Sequence, residues 1–475
     1  MNHLSVLAVD LGAESGRVMT VHFDGQRLTL EEIHRFANPL TTVKGTLHWD
    51  FLHLWREITA GIEKGKSLNP ASIGVDTWGV DFGLLDKQGK LIGNPVNYRD
   101  PRTDGMMDRV FAKVPREQVF AQTGIQFMPI NTLYQMMSLV ECQSPQLEIA
   151  ETFLTAPDLL NYWLTGAKVC EFSNATTTQM FNPTTGTWAT EMLETLGVPT
   201  HILPDIVQPG TRLGAYDGIP VIAPACHDTG SAVAGVPCQT ASFAYISSGT
   251  WSLVGLENEA AIVSPEALAA NVTNEGGVYG TWRFLKNVMG LWIVQQCRAT
   301  WAAAGESLSY EALTQLAESA EPLRSIIPVN DPRLLAPGNH PAIIRDLCRE
   351  SGQPIPETKG QIIRCVLESL ALKYRDVLDK LLTLSDKETN VLHIVGGGTQ
   401  NQLLNQFSAD ATGLPVVTGP IEATVIGNAL VQLIALGELR DLAEGRQLVN
   451  NSFSLDHYQP ANDPRWDAAF AQLYT

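Results

Sequence analysis

LSVLAVDLGAESGRVMTVHF, residues 4–23, places two apolar runs on either side of a small, polar segment from Gly12 to Gly16. Apolar runs punctuated by glycines in this way predict two strands joined as a hairpin with a polar tip. Asp10 stands at the end of the first strand. The same design returns in SFAYISSGTWSLVGLE (242–257), again with a turn of glycine and hydroxyl residues. SIGVDTWGVDFGLLD (72–86) repeats the order of apolar run, Asp, small turn and apolar run. Before it, TLHWDFLHLWREITAGIEKG (46–65) carries Leu54, Trp55, Ile58 and Ile62 at helical spacing. Strands alternating with helices predict an α/β fold.

The two hairpins make the architecture look duplicated. At 475 residues and 44% apolar content, the chain is longer than one hydrophobic core usually serves. Two α/β domains are expected, residues 1–238 and 239–475, each starting near a glycine-tipped hairpin and flanking a cleft, with the junction and a hinge near 237–240. The second half offers helical patterns at LKNVMGLWIVQQCRATWAAAG (285–305), YEALTQLAESA (310–320) and TKGQIIRCVLESLALKYRDVLDKLLTL (358–384). A strand, VLHIV (391–395), runs into GGGTQNQLLNQFSADATG (396–413), and residues 457–475 read as a terminal helix.

A formal charge of -18 with no Lys/Arg-rich run argues against a nucleic-acid binder. The seven cysteines, 142, 170, 226, 238, 297, 348 and 365, are scattered and never form C-x-x-C, which fits reduced thiols better than a zinc knuckle or a disulfide framework. The opening residues MNHLSVLAVD lack a basic n-region, and VIGNALVQLIALG is interrupted by Asn428 and Gln432. A soluble, cytoplasmic protein that engages no membrane is therefore expected.

Several motifs suggest phosphate chemistry. AGIEKGKS (60–67) misses the phosphate-loop pattern by one residue, but an amphipathic helix precedes it where a strand is required, so Gly65 and Lys66 read as a helix C-terminus. DLGAESGR (10–17) and SSGTWS (247–252) each offer backbone N–H groups in a turn without bulk, which suits phosphate oxygens. Two such tips could hold one polyphosphate, and Asp10 would then orient Mg²⁺ through water. VLHIVGGGTQN (391–401) lets the backbone approach a flat ring or a phosphate at a helix start, yet lacks the dinucleotide spacing.

ACHDTGSAVAGVP (225–237) sets Asp228 between His227 and Thr229 where an apolar run opens into a small-residue turn. Consecutive Cys226, His227 and Asp228 alternate faces if extended, which is poor geometry for a metal site. No G-x-S-x-G elbow supplies a triad nucleophile. A helix N-cap and a general base are left standing together.

DLGAESGRV, DTWGVDFGLLD, YRDPRTDGM, HDTGSAV, SSGTWSLVG, NEGG with LKNVMGLW, and HIVGGGTQNQLLNQFSADATGLPV with GPIEATVIGNAL together resemble the rhamnulokinase group of FGGY carbohydrate kinases. The resemblance runs nearly end to end. It implies two actin- and Hsp70-ATPase-like (ribonuclease H-like) domains and transfer of the γ-phosphoryl group of ATP, with Mg²⁺, to the 1-hydroxyl of L-rhamnulose. It makes Asp228 the catalytic base, with His227, Thr229, Gly79 and Asn287 at the sugar. Ala13, Glu14, Ser15, Gly16, Arg17, Thr250, Gln295 and Gly397 fall on ATP-binding positions. Glu14 is expected to offer only its backbone, its carboxylate turned outward. The resemblance also implies a disulfide at positions matching Cys348 and Cys365, for which the scattered thiols give no independent support.

Arg17 and Lys286 are candidate cations for phosphate, or else solvated surface charges. The alternatives are a kinase of another ketose such as L-fuculose, and a non-catalytic, ATP-dependent sugar-binding or sensor protein of the same fold. Oligomeric state is not legible in the sequence.

Overall fold

The computed structural model describes residues 4–240 and 242–474. The first three residues, on which the amino-terminal reading partly rests, and Thr475 of the expected terminal helix lie outside them. The chain forms two compact units, and they interleave along the sequence. Unit 1 comprises Met1–Gln239, Glu257–Phe284 and Ala423–Ser452; unit 2 comprises Thr240–Leu256, Leu285–Glu422 and Phe453–Thr475. A single cut after residue 238 thus describes only the first crossing. The chain returns twice to unit 1, because residues 257–284 and 423–452 find their packing partners there.

Unit 1 is built on a six-stranded sheet. β1 (Leu4–Leu11) and β2 (Ser15–Phe23) form the expected antiparallel hairpin, and β3 (Leu28–Ala37) continues it to an edge. On the other side of β1 lies β4 (Ile73–Thr77), in parallel register. β6 (Ile219–Ile222) pairs in parallel with β4, and β5 (Arg212–Tyr216) closes the second edge, giving the order β5-β6-β4-β1-β2-β3. Central β1 and β4 are buried on both faces, which is why they read as unbroken apolar runs.

Helix α1 (Phe51–Gly65) is capped by Asp50, whose carboxylate accepts from the amide of His53 at 2.9 Å. Its Leu54, Ile58 and Ile62 enter one core with Leu7, Val9, Val18 and Val75 of the sheet. It ends at Gly65, and Lys66 beyond it pairs with Glu63 (2.6 Å) and Asp217 (2.7 Å). The phosphate-loop look-alike is thus a helix end, as its context predicts. A short helix, α2 (Asp228–Ala234), follows the end of β6.

In unit 2, β7 (Ala244–Ser248) and β8 (Trp251–Asn258) form the second antiparallel hairpin. β9 (Thr273–Gly276), which belongs to unit 1, and β10 (Trp282–Met289), which passes from unit 1 to unit 2 after Phe284, follow, then helix α3 (Trp292–Ala303) and the long α4 (Lys359–Ser385). Residues 285–289 therefore belong to a strand, where the apolar pattern predicts the start of a helix. The strand-to-helix change falls at Gly290, where a β-carbon would crowd the Ser252 hydroxyl at 2.7 Å and the Gly249 carbonyl at 2.9 Å. β11 (Leu392–Val395), α5 (Gln402–Thr412) and β12 (Val416–Thr418) complete the parallel part, with β11 beside β7. Helix α6 (Ala423–Ala435) belongs to unit 1, and β13 (Asp456–Tyr458) returns to pair with β12. The second sheet has seven strands in the order β9-β10-β8-β7-β11-β12-β13.

The expected terminal helix is confined to Arg465–Tyr474, residues 456–458 being β13. Among the described residues no helix is long and apolar enough to cross a membrane.

Candidate active site

In unit 1 the tip of the first hairpin is closed by the Gly12 amide donating to the Ser15 carbonyl at 2.9 Å. Asn38 fixes it from outside: its amide donates to the Glu14 carbonyl (3.0 Å) and its side chain to the Gly12 carbonyl (3.1 Å). With those carbonyls engaged, the N–H groups of Ala13 and Glu14 keep no protein partner among the described residues. The Glu14 side chain is exposed. Gly16 packs against Phe36 and Leu11, where a β-carbon would come within 2.5 Å of both side chains.

Asp10 and Arg17 are cross-strand partners in the hairpin register. Nη2 and Nε of Arg17 donate to Oδ2 of Asp10 at 2.7 and 3.0 Å. Parallel pairing puts Asp76 of β4 opposite Asp10. Burial first, and the charge of Asp10 next, hold the Asp76 carboxyl well above the usual range, while the Asn428 amide donating to its Oδ2 (2.6 Å) opposes this. Asp76 Oδ1 is buried and has no hydrogen-bond partner among the described residues.

The chain leaves β6 and is held by Glu171, a fully buried carboxylate that accepts from the amides of Cys226 (2.9 Å), Ser173 (2.9 Å) and Asn174 (3.2 Å). Burial pushes Glu171 up to about 6. Beyond Cys226, the amide of His227 donates to Ser173 Oγ at 3.1 Å, and α2 begins. His227 occupies the N-cap and Asp228 is the first helical residue. Asp228 Oδ1 accepts from the Thr229 amide (2.6 Å), lies 3.2 Å from Thr229 Oγ1 and 3.3 Å from His227 Nε2. Oδ2 has no donor among the described residues. Asp228 is therefore not the N-cap, which lies one residue earlier and makes no side-chain capping bond; its carboxylate has one tethered oxygen and one without a donor.

Protein walls most of the Asp228 side chain, although 30% of it remains open. That desolvation raises its pKa above the usual value; His227 opposes the shift, and the Asp10 charge adds to it. Gly79 completes the group: a β-carbon there would lie 3.0 Å from Thr177 Oγ1 and 3.3 Å from His227 Nε2. Val80, next to it, has φ of 69°, unusual for a β-branched residue, and its amide donates to Thr177 Oγ1 at 3.2 Å. Asp81 pins this loop by accepting from the indole N–H groups of Trp49 (2.5 Å) and Trp78 (3.0 Å) and from Gln135 (3.0 Å).

The structure therefore brings Gly79, His227, Asp228 and Thr229 together, and it adds two residues that have no role in the sequence reading. Arg283 Nη2 lies 3.0 Å from His227 Nδ1, and Glu275 Oε2 lies 3.3 Å from the same nitrogen. They stand 56 and 48 positions from His227; the one signal for them is the NEGG motif, which contains Glu275.

In unit 2, Thr250 and Gln295 meet through side chains 3.3–3.5 Å apart. The carbonyls of Gly249 and Thr250 accept from the amides of Leu291 (3.0 Å) and Trp292 (3.2 Å), seating the second hairpin tip on the start of α3. The triple-glycine loop abuts the same hairpin: a β-carbon on Gly396 would lie 2.9 Å from the Ser248 carbonyl, and one on Gly398 would overlap Ser248 Oγ. Gly397 between them faces open space. A 3₁₀ turn, Gly397–Gln400, separates this loop from α5, so the glycines do not open directly into the α-helix as the sequence pattern suggests.

Asn287 lies on β10 in unit 2. Lys286 alternates to the opposite face of that strand. Burial, then the charges of Lys373 and Lys380 on α4, push it down to about 8. Arg17, the other candidate cation, is held by Asp10.

Among the described residues no three His, Cys, Asp or Glu side chains converge to ligate a metal directly. The free Oδ1 of Asp10 and the unpartnered Oδ1 of Asp76 nevertheless suit a hydrated divalent ion, held through its own waters. All seven cysteines are free thiols. Cys348 and Cys365 are buried and hydrogen-bonded to each other.

Solved sugar kinases share this fold at low sequence identity. Gluconate kinase from Lactobacillus acidophilus superposes with a TM-score of 0.80 at 16% identity, covering 99% of this chain and 96% of its own. Glycerol kinase with ADP from Plasmodium falciparum gives 0.78 at 17%, covering 99% and 97%. Curated relatives are far more similar in sequence. A rhamnulokinase of Bacteroides thetaiotaomicron is 46% identical over 98% of this chain and 97% of its own length, and one of Pectobacterium atrosepticum is 47% identical over 96% and 93%. The models of the N-terminal and C-terminal domains of the FGGY family of carbohydrate kinases match residues 5–234 and 244–436. With both domain models in place and near-complete coverage by such relatives, the chain belongs to the FGGY family of carbohydrate kinases, on its rhamnulokinase branch.

Proposed function

We propose that the chain transfers the γ-phosphoryl group of ATP to the 1-hydroxyl of L-rhamnulose, giving L-rhamnulose 1-phosphate for L-rhamnose breakdown, with Asp228 as general base. The observation that carries the base assignment is the division of labour on its carboxylate. Oδ1 is engaged by Thr229 and His227, which fixes the group's rotation, while Oδ2 is left to a substrate hydroxyl.

Phosphoryl transfer passes through a loose transition state, so the protein's work is positioning and charge neutralisation. A sugar hydroxyl is too weak an acid to be ionised beforehand; Asp228 orients it and takes its proton late in the transfer. The raised pKa of Asp228 makes it a better proton acceptor than an ordinary aspartate. Gly79, His227 and Thr229 line the sugar around it, and Asn287 is proposed as a further sugar contact.

In unit 1 the amides of Ala13 and Glu14 at the tip formed by residues 13–17 are offered to phosphate oxygens; in unit 2 Thr250 with Gln295 offers a phosphate contact of its own. Gly397 leaves room for a flat ring. Mg²⁺ fits beside Asp10 through water, where it supplies charge neutralisation for the transferred group. An ATP substrate and seven reduced thiols suit a cytoplasmic setting.

The test is ATP-dependent phosphorylation across a ketose panel including L-rhamnulose and L-fuculose, run for the native chain and for Asp228→Asn. A preference for L-rhamnulose lost with the carboxylate supports the reading. Equal turnover of L-fuculose overturns the substrate, and an undiminished Asp228→Asn rate overturns the base.

A further inference from the structure

We propose that Arg283, braced by Glu275, is a positioning residue that sets the tautomer of His227, so that the ring proton sits on Nε2 and points at Oδ1 of Asp228. The consequence for catalysis rests on Asp228 being the base; the tautomer itself does not.

The guanidinium of Arg283 is wholly buried, hydrogen-bonded through Nε and Nη2 and ion-paired through Nη1. Nε donates to the Gly276 carbonyl at 2.8 Å, Nη1 lies 3.1 Å from Glu275 Oε2, and Nη2 lies 3.0 Å from His227 Nδ1. A guanidinium is a donor with no acceptor, so Nδ1 must offer it a lone pair. Glu275 Oε2 also lies 3.3 Å from Nδ1, and the two contacts compete for one nitrogen. The shorter contact decides, since Glu275 is already neutralised by Arg283, and a proton on Nδ1 would set an N–H against that guanidinium.

The ring's proton then resides on Nε2, 3.3 Å from Asp228 Oδ1. It lies beside the oxygen to which the Thr229 amide and hydroxyl already donate. With the proton on Nδ1 instead, a lone pair would face the carboxylate and turn it away from this rotation. Arg283 thereby acts on the base through one intervening ring, a chain of Glu275, Arg283, His227 and Asp228 that lies entirely in unit 1.

The experiment records ring ¹⁵N–¹H correlation spectra of the full chain with ¹⁵N-histidine, using His227→Gln to assign the signal. The expected wild-type pattern is that of a neutral ring protonated at Nε2. A proton on Nδ1, or on both nitrogens, overturns the proposal, and this readout needs no variant to fold beyond the assignment control. The kinetic arm uses the paired substitution Arg283→Met with Glu275→Gln, which leaves no unmatched buried charge. It is expected to shift the ring toward mixed tautomers and lower kcat about 10-fold to 100-fold, with KM for ATP unchanged. A folded double variant with native tautomer and native kcat overturns it. Full activity of Asp228→Asn would remove the base reading while leaving the wild-type spectrum as it is, so the two ideas fail separately.

Discussion

Gly427 of α6 lies against the carbonyl of Ser231 in α2, so closely that a β-carbon on it would overlap that oxygen. Gly235, one turn further along α2, makes the reciprocal approach, its missing β-carbon 2.5 Å from the Ala423 carbonyl. The helix that starts at Asp228 is therefore seated on α6 by two glycines. Gly427→Ala should push the helices apart, cost about 1–3 kcal/mol of stability and lower kcat more than it raises either KM. Thermal unfolding and steady-state kinetics check this; a native melting curve with native turnover would refute the seating argument.

Asp228→Asn keeps an oxygen for the Thr229 amide and should fold normally. Its kcat is expected to fall by about 10²-fold to 10⁴-fold, the usual contribution of a general base, with the KM for ATP little changed. Turnover assays paired with a melting curve separate lost chemistry from lost fold.

The pH dependence follows from the direction of the Asp228 shift. The base must be ionised, and burial raises its pKa, so kcat/KM should climb with pH on an acid limb lying above the ordinary aspartate value. Rates measured from mildly acidic to neutral pH test it; an acid limb at or below the unperturbed value would contradict it.

Asp158 offers a stability test away from the chemistry. It is buried beside Glu171, and that burial pushes it up to about 8. A carboxyl whose folded pKa exceeds its unfolded one binds protons more tightly when folded, so its contribution is complete below the unfolded value and is lost as pH rises through the folded one. Glu171 and Asp81, each pushed to about 6, act mainly below that. Between pH 6 and 8 the native chain should lose stability that Asp158→Asn retains, read by denaturant unfolding at both pH values. Parallel losses in the two proteins would rule this out.

Gly397 has open space where a β-carbon would go, whereas Gly398 is crowded by Ser248. Gly397→Val should leave the melting temperature near native and raise the KM for ATP several-fold without altering that for the sugar. Unchanged ATP kinetics would place the nucleotide elsewhere.

Local patterns carried much of this in the sequence. The hairpins at 4–23 and 244–258 were legible because each joins apolar strands through a turn with few bulky side chains, and the helix at 51–65 because its apolar face repeats every three to four residues. Residues 285–289 were misread because the apolar residues of LKNVMGLWIVQQC run on across the junction, and only Gly290 marks where strand ends and helix begins. The candidate base was quoted from the chain, but its division into a tethered and a free oxygen depends on Thr229 and His227 geometry. Arg283 and Glu275 escaped because what defines them is proximity across a long stretch of chain. The interleaving of the two units was hidden for the same reason: nothing near Gly427 announces Ser231 as its neighbour.

That pairing also sets a timetable. During synthesis, the first 239 residues emerge with β1, β4 and α2 already made, but α6 lies beyond about 180 further residues of sequence, most of them belonging to unit 2. Until the ribosome has passed Ala435, α2 has no surface for Ser231 and Gly235 to rest on. Asp228, the proposed base, is translated in the first half of the chain, and its platform is completed in the last tenth.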